Sequence, residues 1–188
     1  MFLLMSLPAQ ENRQDRKELE RTLGALAAGR REALHDLYEQ CAQSVFAYAL
    51  SLLRNTHDAE DVLHACILKV WEAAPGYAGR GKPMAWILTI ARNLCYSKLR
   101  ADKKSVPLPD GYEPAYDEGL PAEERMLLNA CMDSLKETER QIVVLHAVSG
   151  LKHLEIAKML DMPLGTVLSQ YRRAIAKLRK LYEREGSE

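Results

Sequence analysis

A proline-rich, acidic stretch near the middle of the chain divides it into two pieces. Residues 105–124 hold four of the eight prolines, two glycines, six acidic residues and no basic residue. Proline fixes φ and removes a backbone donor, so such a stretch interrupts helices and strands alike. We therefore expect a flexible linker over 102–121, a first domain over 10–101 and a second domain over 122–184. A piece of about 60 residues folds alone only with an efficient core, so the second domain should be a compact helical unit.

Both pieces carry the apolar spacing of amphipathic helices, and neither shows the alternating pattern of a strand. In the first piece, Thr56 or Asp58 can cap one helix, and Pro83 suits the first turn of another. The second piece is typical of three or four helices, at about 122–136, 138–148, 153–160 and 165–183. The predicted fold class is all-α, with two small helical domains joined by a flexible linker.

Positive charge is concentrated in two blocks, although 26 basic and 26 acidic side chains cancel over the whole chain. Six bases and one acid lie between Lys82 and Lys104, and six bases and one acid lie between Thr166 and Arg184. Because local field rather than total charge attracts phosphate, the blocks are typical of two surfaces that contact a polyanion. The alternative interpretation is that the two basic blocks are solvated faces of helices that bind no polyanion.

The last two helices of the second piece have a helix-turn-helix pattern. Residues 154–160 form a short amphipathic helix, residues 161–164 break it, and Gly165 opens a long helix. The long helix keeps an apolar stripe on one side and a polar, cationic face on the other, which suits a DNA major groove. The candidate residues of this face are Thr166, Ser169, Gln170, Arg172, Arg173 and Lys177. Thr166 can instead serve only as a helix N-cap.

These features resemble the extracytoplasmic-function group of bacterial sigma factors, which is related to sigma-70. In the second piece the matching residues are Glu155-Ile156-Ala157, Met162-Pro163-Leu164-Gly165-Thr166-Val167, Ser169 and Arg173-Ala174. In the first piece they are Asn55-Thr56-His57-Asp58-Ala59-Glu60-Asp61-Val62, Val70-Trp71, Trp86-Ile87-Leu88-Thr89-Ile90-Ala91-Arg92-Asn93 and Arg100. The turn carries Asp161 where this group commonly has Gly, and Asp is one of the residues that tolerate a left-handed conformation.

The resemblance implies a promoter-recognition subunit of RNA polymerase. The first domain would be sigma-2, which docks on the polymerase clamp and captures the melted −10 element. The second would be sigma-4, which reads the −35 duplex, and the acidic linker would run toward the RNA exit path. The implied partners are the clamp and flap regions of the RNA polymerase core, promoter DNA and an anti-sigma protein. The candidate polymerase contacts are Asp58, Glu60, Asp61 and His64.

A glycine-rich, basic loop over 76–82 matches the role of capturing unpaired DNA. Three glycines allow flexibility, and the aromatic and cationic side chains between them offer a stacking surface and phosphate contacts. The helix that follows adds further polar and cationic side chains. The candidate −10 contacts are Tyr77, Arg80, Lys82, Arg92, Asn93, Lys98 and Arg100.

No metal, cofactor or catalytic cluster is indicated by the spacing of reactive residues. The cysteines Cys41, Cys66, Cys95 and Cys131 lie 25, 29 and 36 residues apart, so they predict buried reduced thiols. The histidines His57, His64, His146 and His153 are interpreted as ordinary surface or capping residues. Trp71 and Trp86 are interpreted as core residues. An enzyme is not expected, since nothing meets the requirements of a catalytic site.

The apolar run over residues 1–7 lacks the basic lead of a secretory signal and is followed at once by Pro8 and a charged segment. No window approaches the roughly 18 apolar residues that a membrane helix needs. We therefore expect a cytoplasmic protein without membrane insertion.

Two further functions remain open at this point. A sigma-like adaptor would bind a regulator protein without directing transcription, and His64-Ala65, Leu168 and Gln170 prompt this hypothesis because they depart from the sigma pattern. A simple helix-turn-helix repressor is the third possibility, but it leaves residues 55–100 unexplained.

Overall fold

The structure is a computed structural model that describes residues 13–79, 81–102 and 122–185. These residues form eight α-helices and one 3₁₀ turn, which belong to two compact units. The predicted all-α class is confirmed, and so is the division into two helical domains.

The N-terminal unit contains four of the described helices. They are α1 (Arg13–Ala27), α2 (Ala33–Leu53), α3 (Thr56–Ala73) and α4 (Pro83–Asp102), with a 3₁₀ turn (Ala74–Gly76) after α3. The core lies where α2, α3 and α4 pack together, and its centre is formed by fully buried side chains such as Leu37, Tyr48, Cys66, Ile87 and Leu88. Burial of apolar surface of this kind is the main force that holds the helices together.

Helix α1 is an addition to the elements expected from the sequence. Leu19, Leu23 and Leu26 recur at steps of four and three, and each is at most 2% exposed. This spacing places them on one side of the helix, which packs against α2 and the 3₁₀ turn. The same spacing could have predicted the helix before the structure was known.

The junction between α2 and α3 depends on two residues with special backbone roles. Arg54 ends α2 in the left-handed conformation, at φ 56°. Asn55 caps α3, because its side-chain oxygen accepts a hydrogen bond from the Asp58 backbone N–H at 3.0 Å. The prediction that Thr56 or Asp58 caps this helix was therefore wrong.

The C-terminal unit contains the other four described helices, α5 (Ala122–Asp133), α6 (Glu137–Ala147), α7 (His153–Leu160) and α8 (Leu164–Glu185). Its core includes Ile142, Leu145, Ile156, Val167 and Ala174, none of which is more than 1% exposed. Helices α7 and α8 are the helix-turn-helix pair. Asp161 adopts the left-handed conformation between them, at φ 55° and ψ 51°, as the sequence allowed.

The cysteines and aromatic residues only partly follow expectation. All four cysteines lie within the described residues as buried thiols outside any disulfide, and burial raises the pKa of Cys41 and Cys95 to about 12. In contrast, Trp71 and Trp86 are only half-buried, so their assignment to the core was wrong. The Arg31 guanidinium lies 5.6 Å from the centre of the Trp71 ring. Arg31 is exposed, so this cation–π contact requires that part of the Trp71 ring lies at the surface.

Over the residues that the structure describes, no helix is both long enough and apolar enough to cross a bilayer. The same residues contain no group of three or more His, Cys, Asp or Glu side chains arranged to hold a metal ion.

Candidate nucleic-acid interface

The N-terminal half of α8 presents most of the polar face predicted from the sequence. With about 3.6 residues per turn, Thr166, Ser169, Gln170 and Arg173 lie within an arc of about 100°. Ser169 and Arg173 are exposed, whereas Thr166 and Gln170 are half-buried. Arg172 is also exposed, and it lies about 100° around the helix from Arg173.

Thr166 lies inside the first turn of α8 and is not its N-cap. The helix begins at Leu164, and the Thr166 backbone N–H donates to the Pro163 carbonyl oxygen at 2.9 Å. The suggested role of Thr166 as a cap is therefore wrong, and its position on the polar face remains.

Local hydrogen bonds order this face. The Ser169 hydroxyl donates to the Thr166 carbonyl oxygen at 2.9 Å, and the Arg173 Nε donates to the Ser169 carbonyl oxygen at a longer 3.4 Å. Both acceptors are backbone atoms of the same helix, so the guanidinium of Arg173 remains at the surface. An exposed guanidinium can donate to phosphate or to a base edge.

Lys177 shares this side of α8, but its ammonium group is bonded within the protein. Its Nζ donates to Glu139 Oε2 of α6 at 2.6 Å. The Glu139 side chain is only 2% exposed, and the same oxygen accepts the Lys136 backbone N–H at 3.1 Å. Desolvation by burial alone would raise the pKa of Glu139, but the bonds to Lys177 and Lys136 outweigh it and lower the pKa. Lys177 thus ties α8 to α6.

Aromatic rings from three helices form a cluster: His146 of α6, His153 of α7 and Tyr171 of α8. The His146 and His153 ring centres are 4.2 Å apart, and each lies within 4.9 Å of the Tyr171 ring. His146 Nδ1 is 2.9 Å from the Leu151 carbonyl oxygen. Burial, with a smaller contribution from His146, lowers the pKa of His153 below its ordinary value of 6.5. The interpretation of these two histidines as ordinary surface or capping residues was wrong, because the chain folds both against α8.

The loop between the 3₁₀ turn and α4 is attached to α1 at two points. Glu20 Oε1 accepts a hydrogen bond from the Tyr77 hydroxyl at 3.1 Å and another from the Gly81 backbone N–H at 2.9 Å. The Tyr77 ring also packs against Trp86, with ring centres 4.9 Å apart. Lys82 directly precedes α4 and is half-buried, and Arg80 lies outside the described residues. Sequence reasoning misses Glu20, since nothing local connects it to a loop some 60 residues away.

Helix α4 presents three of its four predicted DNA contacts on one side. Arg92, Asn93 and Arg100 lie within an arc of about 100°. Asn93 and Arg100 are exposed, and the half-buried Arg92 places its guanidinium 5.1 Å from the centre of the Tyr96 ring. The Arg100 Nη2 donates to the Ser97 hydroxyl oxygen at 3.0 Å.

Lys98 lies at least about 120° around α4 from the nearest of these residues and faces α3 instead. Its Nζ is 2.8 Å from Asp58 Oδ1 and 2.8 Å from Asp61 Oδ2. The Lys98 hydrogen bond and charge lower the pKa of Asp61. Partial burial alone would lower the pKa of Lys98, but the two carboxylates outweigh it and raise the pKa. The structure therefore joins one predicted DNA contact to two predicted polymerase contacts.

The remaining two predicted polymerase contacts, Glu60 and His64, are exposed on α3. Glu60 Oε2 is 3.8 Å from His57 Nδ1, whose side chain is 95% exposed. A contact this open to water contributes little to stability. Glu60 and His64 are therefore available for contact with another protein.

Two family descriptions match the chain, in order along its length. Sigma-70 region 2 matches residues 37–105, and Sigma-70, region 4 matches residues 118–178. The first match covers most of α2 and all of α3 and α4, and the second covers α5 to α7 and most of α8.

Curated relatives agree with these matches. The ECF RNA polymerase sigma factor SigK of Mycobacterium ulcerans is 28% identical over 172 residues, covering 86% of this chain and 92% of that protein. The ECF RNA polymerase sigma factor SigK of Mycolicibacterium vanbaalenii is 27% identical over 173 residues, covering 87% of this chain and 88% of that protein.

Two solved structures share the fold. CnrH, in complex with the cytosolic domain of CnrY, has a TM-score of 0.61 at 21% identity, covering 87% of this chain and 96% of that chain. The sigma factor RpoE, in complex with the anti-sigma factor NepR from Bartonella quintana, has a TM-score of 0.58 at 24% identity, covering 89% and 95%. The chain belongs to the sigma-70 family, as an ECF-type RNA polymerase sigma factor.

Proposed function

We propose that this protein directs RNA polymerase to promoters, with the N-terminal unit capturing the unpaired −10 strand and the C-terminal unit reading the −35 duplex. One observation carries the proposal. Two matched sigma regions follow each other along the chain, and each presents a helix face of exposed polar and cationic side chains. A simple repressor would need only the second of them. The domain boundaries we propose are those expected from the sequence, 10–101 and 122–184.

The −35 contacts are assigned to the N-terminal half of α8. Thr166, Ser169, Gln170, Arg172 and Arg173 lie there, where a recognition helix enters the major groove. We exclude Lys177 from the direct contacts, because its bond to Glu139 would have to break before it could reach a phosphate.

The −10 contacts are assigned to Tyr77, Lys82, Arg92, Asn93 and Arg100, together with Arg80. The aromatic ring offers stacking to an extruded base, and the cations offer phosphate contacts. Lys98 is excluded for the same reason as Lys177, because two carboxylates hold its ammonium group.

The polymerase contact is assigned to the exposed side of α3, at Glu60 and His64 with the outer edge of Asp61. Asp61 keeps 72% of its side chain exposed while it binds Lys98, so it can face a second protein as well. The partners are then the clamp and flap regions of the RNA polymerase core, promoter DNA and an anti-sigma protein. The protein would act in the cytoplasm and perform no catalysis of its own, since promoter opening is driven by binding energy.

The decisive experiment is transcription with purified components. Core polymerase plus this protein is expected to start transcription at promoters, selected from a genomic library, that core polymerase alone ignores. Failure across the whole library, with a known sigma factor active in parallel, contradicts the proposal.

A sigma-like adaptor is the second candidate function. A simple repressor would depend on the cations of α8 to bind DNA, whereas an adaptor would not. The small number of exposed cations on the N-terminal half of α8 therefore favours the adaptor over the repressor. Leu168 and Gln170 carry no charge, and Lys177 is bonded internally, so Arg172 and Arg173 are left as the exposed cations of the N-terminal half of α8. Co-purification separates the adaptor from the sigma factor. An adaptor is expected to retain a regulator protein and not core polymerase, whereas a sigma factor is expected to bind core polymerase.

A further inference from the structure

We propose that Glu20 of α1 is a positioning residue that holds Tyr77 and Gly81 in the arrangement that receives an unpaired base of the −10 strand. The inference rests on the proposed function and adds a residue outside the matched family region, which begins at residue 37. Glu20 lies in α1, which precedes the matched residues.

The geometry that carries the inference is a single oxygen with two donors. Glu20 Oε1 accepts from the Tyr77 hydroxyl and from the Gly81 backbone N–H, at the two ends of the loop. One donor is a side chain and the other is main chain, so the carboxylate orients the ring and constrains the backbone together. Hydrogen bonds to an ionised acceptor are stronger than those between neutral groups.

Backbone conformation makes such an anchor necessary. Gly79 and Gly81 both have positive φ, at 57° and 68°. Glycine adopts these angles without steric cost, but it also samples many others, so the loop loses much conformational entropy when it is ordered. An external acceptor that binds Gly81 offsets part of that cost before DNA arrives, which is the principle of preorganisation.

The Tyr77 ring is held in place by its hydrogen bond to Glu20 and by its contact with Trp86. Its hydroxyl points to Glu20, and its ring lies against Trp86 of α4. The ring is thereby held from both ends while it remains half-buried, with part of its surface in contact with solvent. A base extruded from the −10 strand could stack on an aromatic surface that is already in place.

Glu20 also places a negative charge near a surface meant for DNA. On electrostatic grounds alone, removing that charge would strengthen DNA binding or leave it unchanged. If removal of the Glu20 side chain weakens DNA binding, the effect is opposite to the electrostatic expectation and is explained by the positioning role. The direction of the change in DNA affinity therefore distinguishes positioning by Glu20 from a general effect of its charge.

The test compares Glu20→Ala, Glu20→Gln and the matched control Glu18→Ala in holoenzyme reconstituted with core polymerase. Glu18 is an exposed carboxylate on the same helix that accepts a hydrogen bond from Gln14, one turn earlier. The probe is a single-stranded oligonucleotide that carries the −10 strand of a promoter recovered in the transcription selection. A duplex carrying the −35 element is the reference probe, and amide exchange at Gly81 reports on the loop itself.

We expect Glu20→Ala to weaken binding of the single strand about fivefold to tenfold, which corresponds to one or two lost hydrogen bonds. Binding of the duplex is expected to stay within twofold, and Gly81 is expected to exchange faster. Glu20→Gln is expected to recover most of the binding, because an amide oxygen accepts both bonds without carrying charge. Glu18→Ala is expected to bind the single strand as well as the unaltered protein or slightly better.

Three results would overturn the inference. Glu20→Ala could bind the single strand as tightly as the unaltered protein, it could weaken both DNA probes equally, or Gly81 exchange could remain unchanged. If the unaltered holoenzyme itself ignores the single strand, the proposed function fails and Glu20 has no role in capture. Amide exchange then still decides whether Glu20 holds the loop.

Discussion

Lys177 of the recognition helix α8 donates to Glu139 of α6 at 2.6 Å, and the acceptor side chain is only 2% exposed. A carboxylate in such a place is stable only when its oxygens have partners. The bond therefore joins α8 to α6, in addition to the apolar contacts of the buried Val167, Ala174 and Leu178. A residue that the sequence predicts to be a DNA contact is therefore bonded within the domain.

Replacing Lys177 by Ala is expected to destabilise the protein without removing a phosphate contact. The change leaves Glu139 buried and short of a partner, at a cost of about 2 kcal/mol in the free energy of unfolding. Thermal unfolding followed by circular dichroism measures the loss. Lys180→Ala, which removes an exposed lysine from the same helix, is the control and should change stability little. If Lys177→Ala and Lys180→Ala have the same midpoint of thermal unfolding, the Lys177–Glu139 bond does not stabilise the domain.

Replacing Arg173 by Ala is expected to weaken binding to duplex −35 DNA in a salt-dependent way. If its exposed guanidinium neutralises one phosphate, the slope of log affinity against log salt falls by about 0.9. The control is Arg179→Ala, since Arg179 is an exposed arginine in the C-terminal half of α8, outside the assigned −35 contacts. An unaltered slope in Arg173→Ala would remove this residue from the phosphate contacts.

Lys98 and Arg100 are expected to behave differently although they lie two positions apart. Arg100→Ala is expected to reduce the salt slope for single-stranded −10 DNA by about 0.7, because one phosphate partner is lost. Lys98→Ala is expected to leave that slope unchanged and to lower the stability of the N-terminal unit by at most about 1 kcal/mol through its bond to Asp58. Tryptophan fluorescence reports the unfolding, since Trp71 and Trp86 both lie in this unit. A reduced slope in Lys98→Ala would return this lysine to the DNA contacts.

Mild acid is expected to destabilise the C-terminal unit through His153. Burial and the His146 ring lower the pKa of His153 below 6.5, so the unfolded chain takes up a proton more readily than the folded one. The stability due to the neutral ring is complete above about pH 6.5 and is lost as the pH falls through the lowered folded-state pKa. Ring titration by NMR is expected to give His153 a pKa below its ordinary value of 6.5.

A pair of variants connects that titration to stability. Between about pH 7.5 and 5.5, the range in which a histidine ring titrates, His153→Gln is expected to lose less stability than the unaltered protein. His57→Gln is expected to follow the unaltered protein. Thermal unfolding at the two pH values gives both comparisons. If all three proteins lose the same stability between the two pH values, protonation of His153 does not destabilise this unit.

Most of the helices follow from local spacing in the sequence, because the period of the apolar residues matches the helix. The turn between α7 and α8 lies where the sequence predicts it, and Asp161 adopts the left-handed conformation that its short polar side chain tolerates. The predicted caps of α3, Thr56 or Asp58, lie one and three positions after the observed cap Asn55, because the sequence pattern places Asn55 at the end of the preceding helix. Helix α1 carries the same signal as the other helices in Leu19, Leu23 and Leu26, although the prediction omits it.

Partners across the fold could not be predicted in this way. Glu20 lies 57 residues from Tyr77, Lys98 lies 37 residues from Asp61, and Lys177 lies 38 residues from Glu139. Each of these charged residues is ordinary in its own helix. No local pattern states which lysine of a basic helix will reach a carboxylate of its neighbour.

The amino-acid sequence by itself determined the helical class, the order of the two domains and the faces that carry the polar and cationic residues, because helix period and proline placement act over a few residues. Only the tertiary structure decided which of those cations are paired with internal carboxylates and which carboxylate anchors the glycine-rich loop. The physical reason is that a charged side chain is directed by whichever opposite charge or hydrogen-bond partner the packing brings within about 3 Å, and packing joins residues that are far apart in the chain.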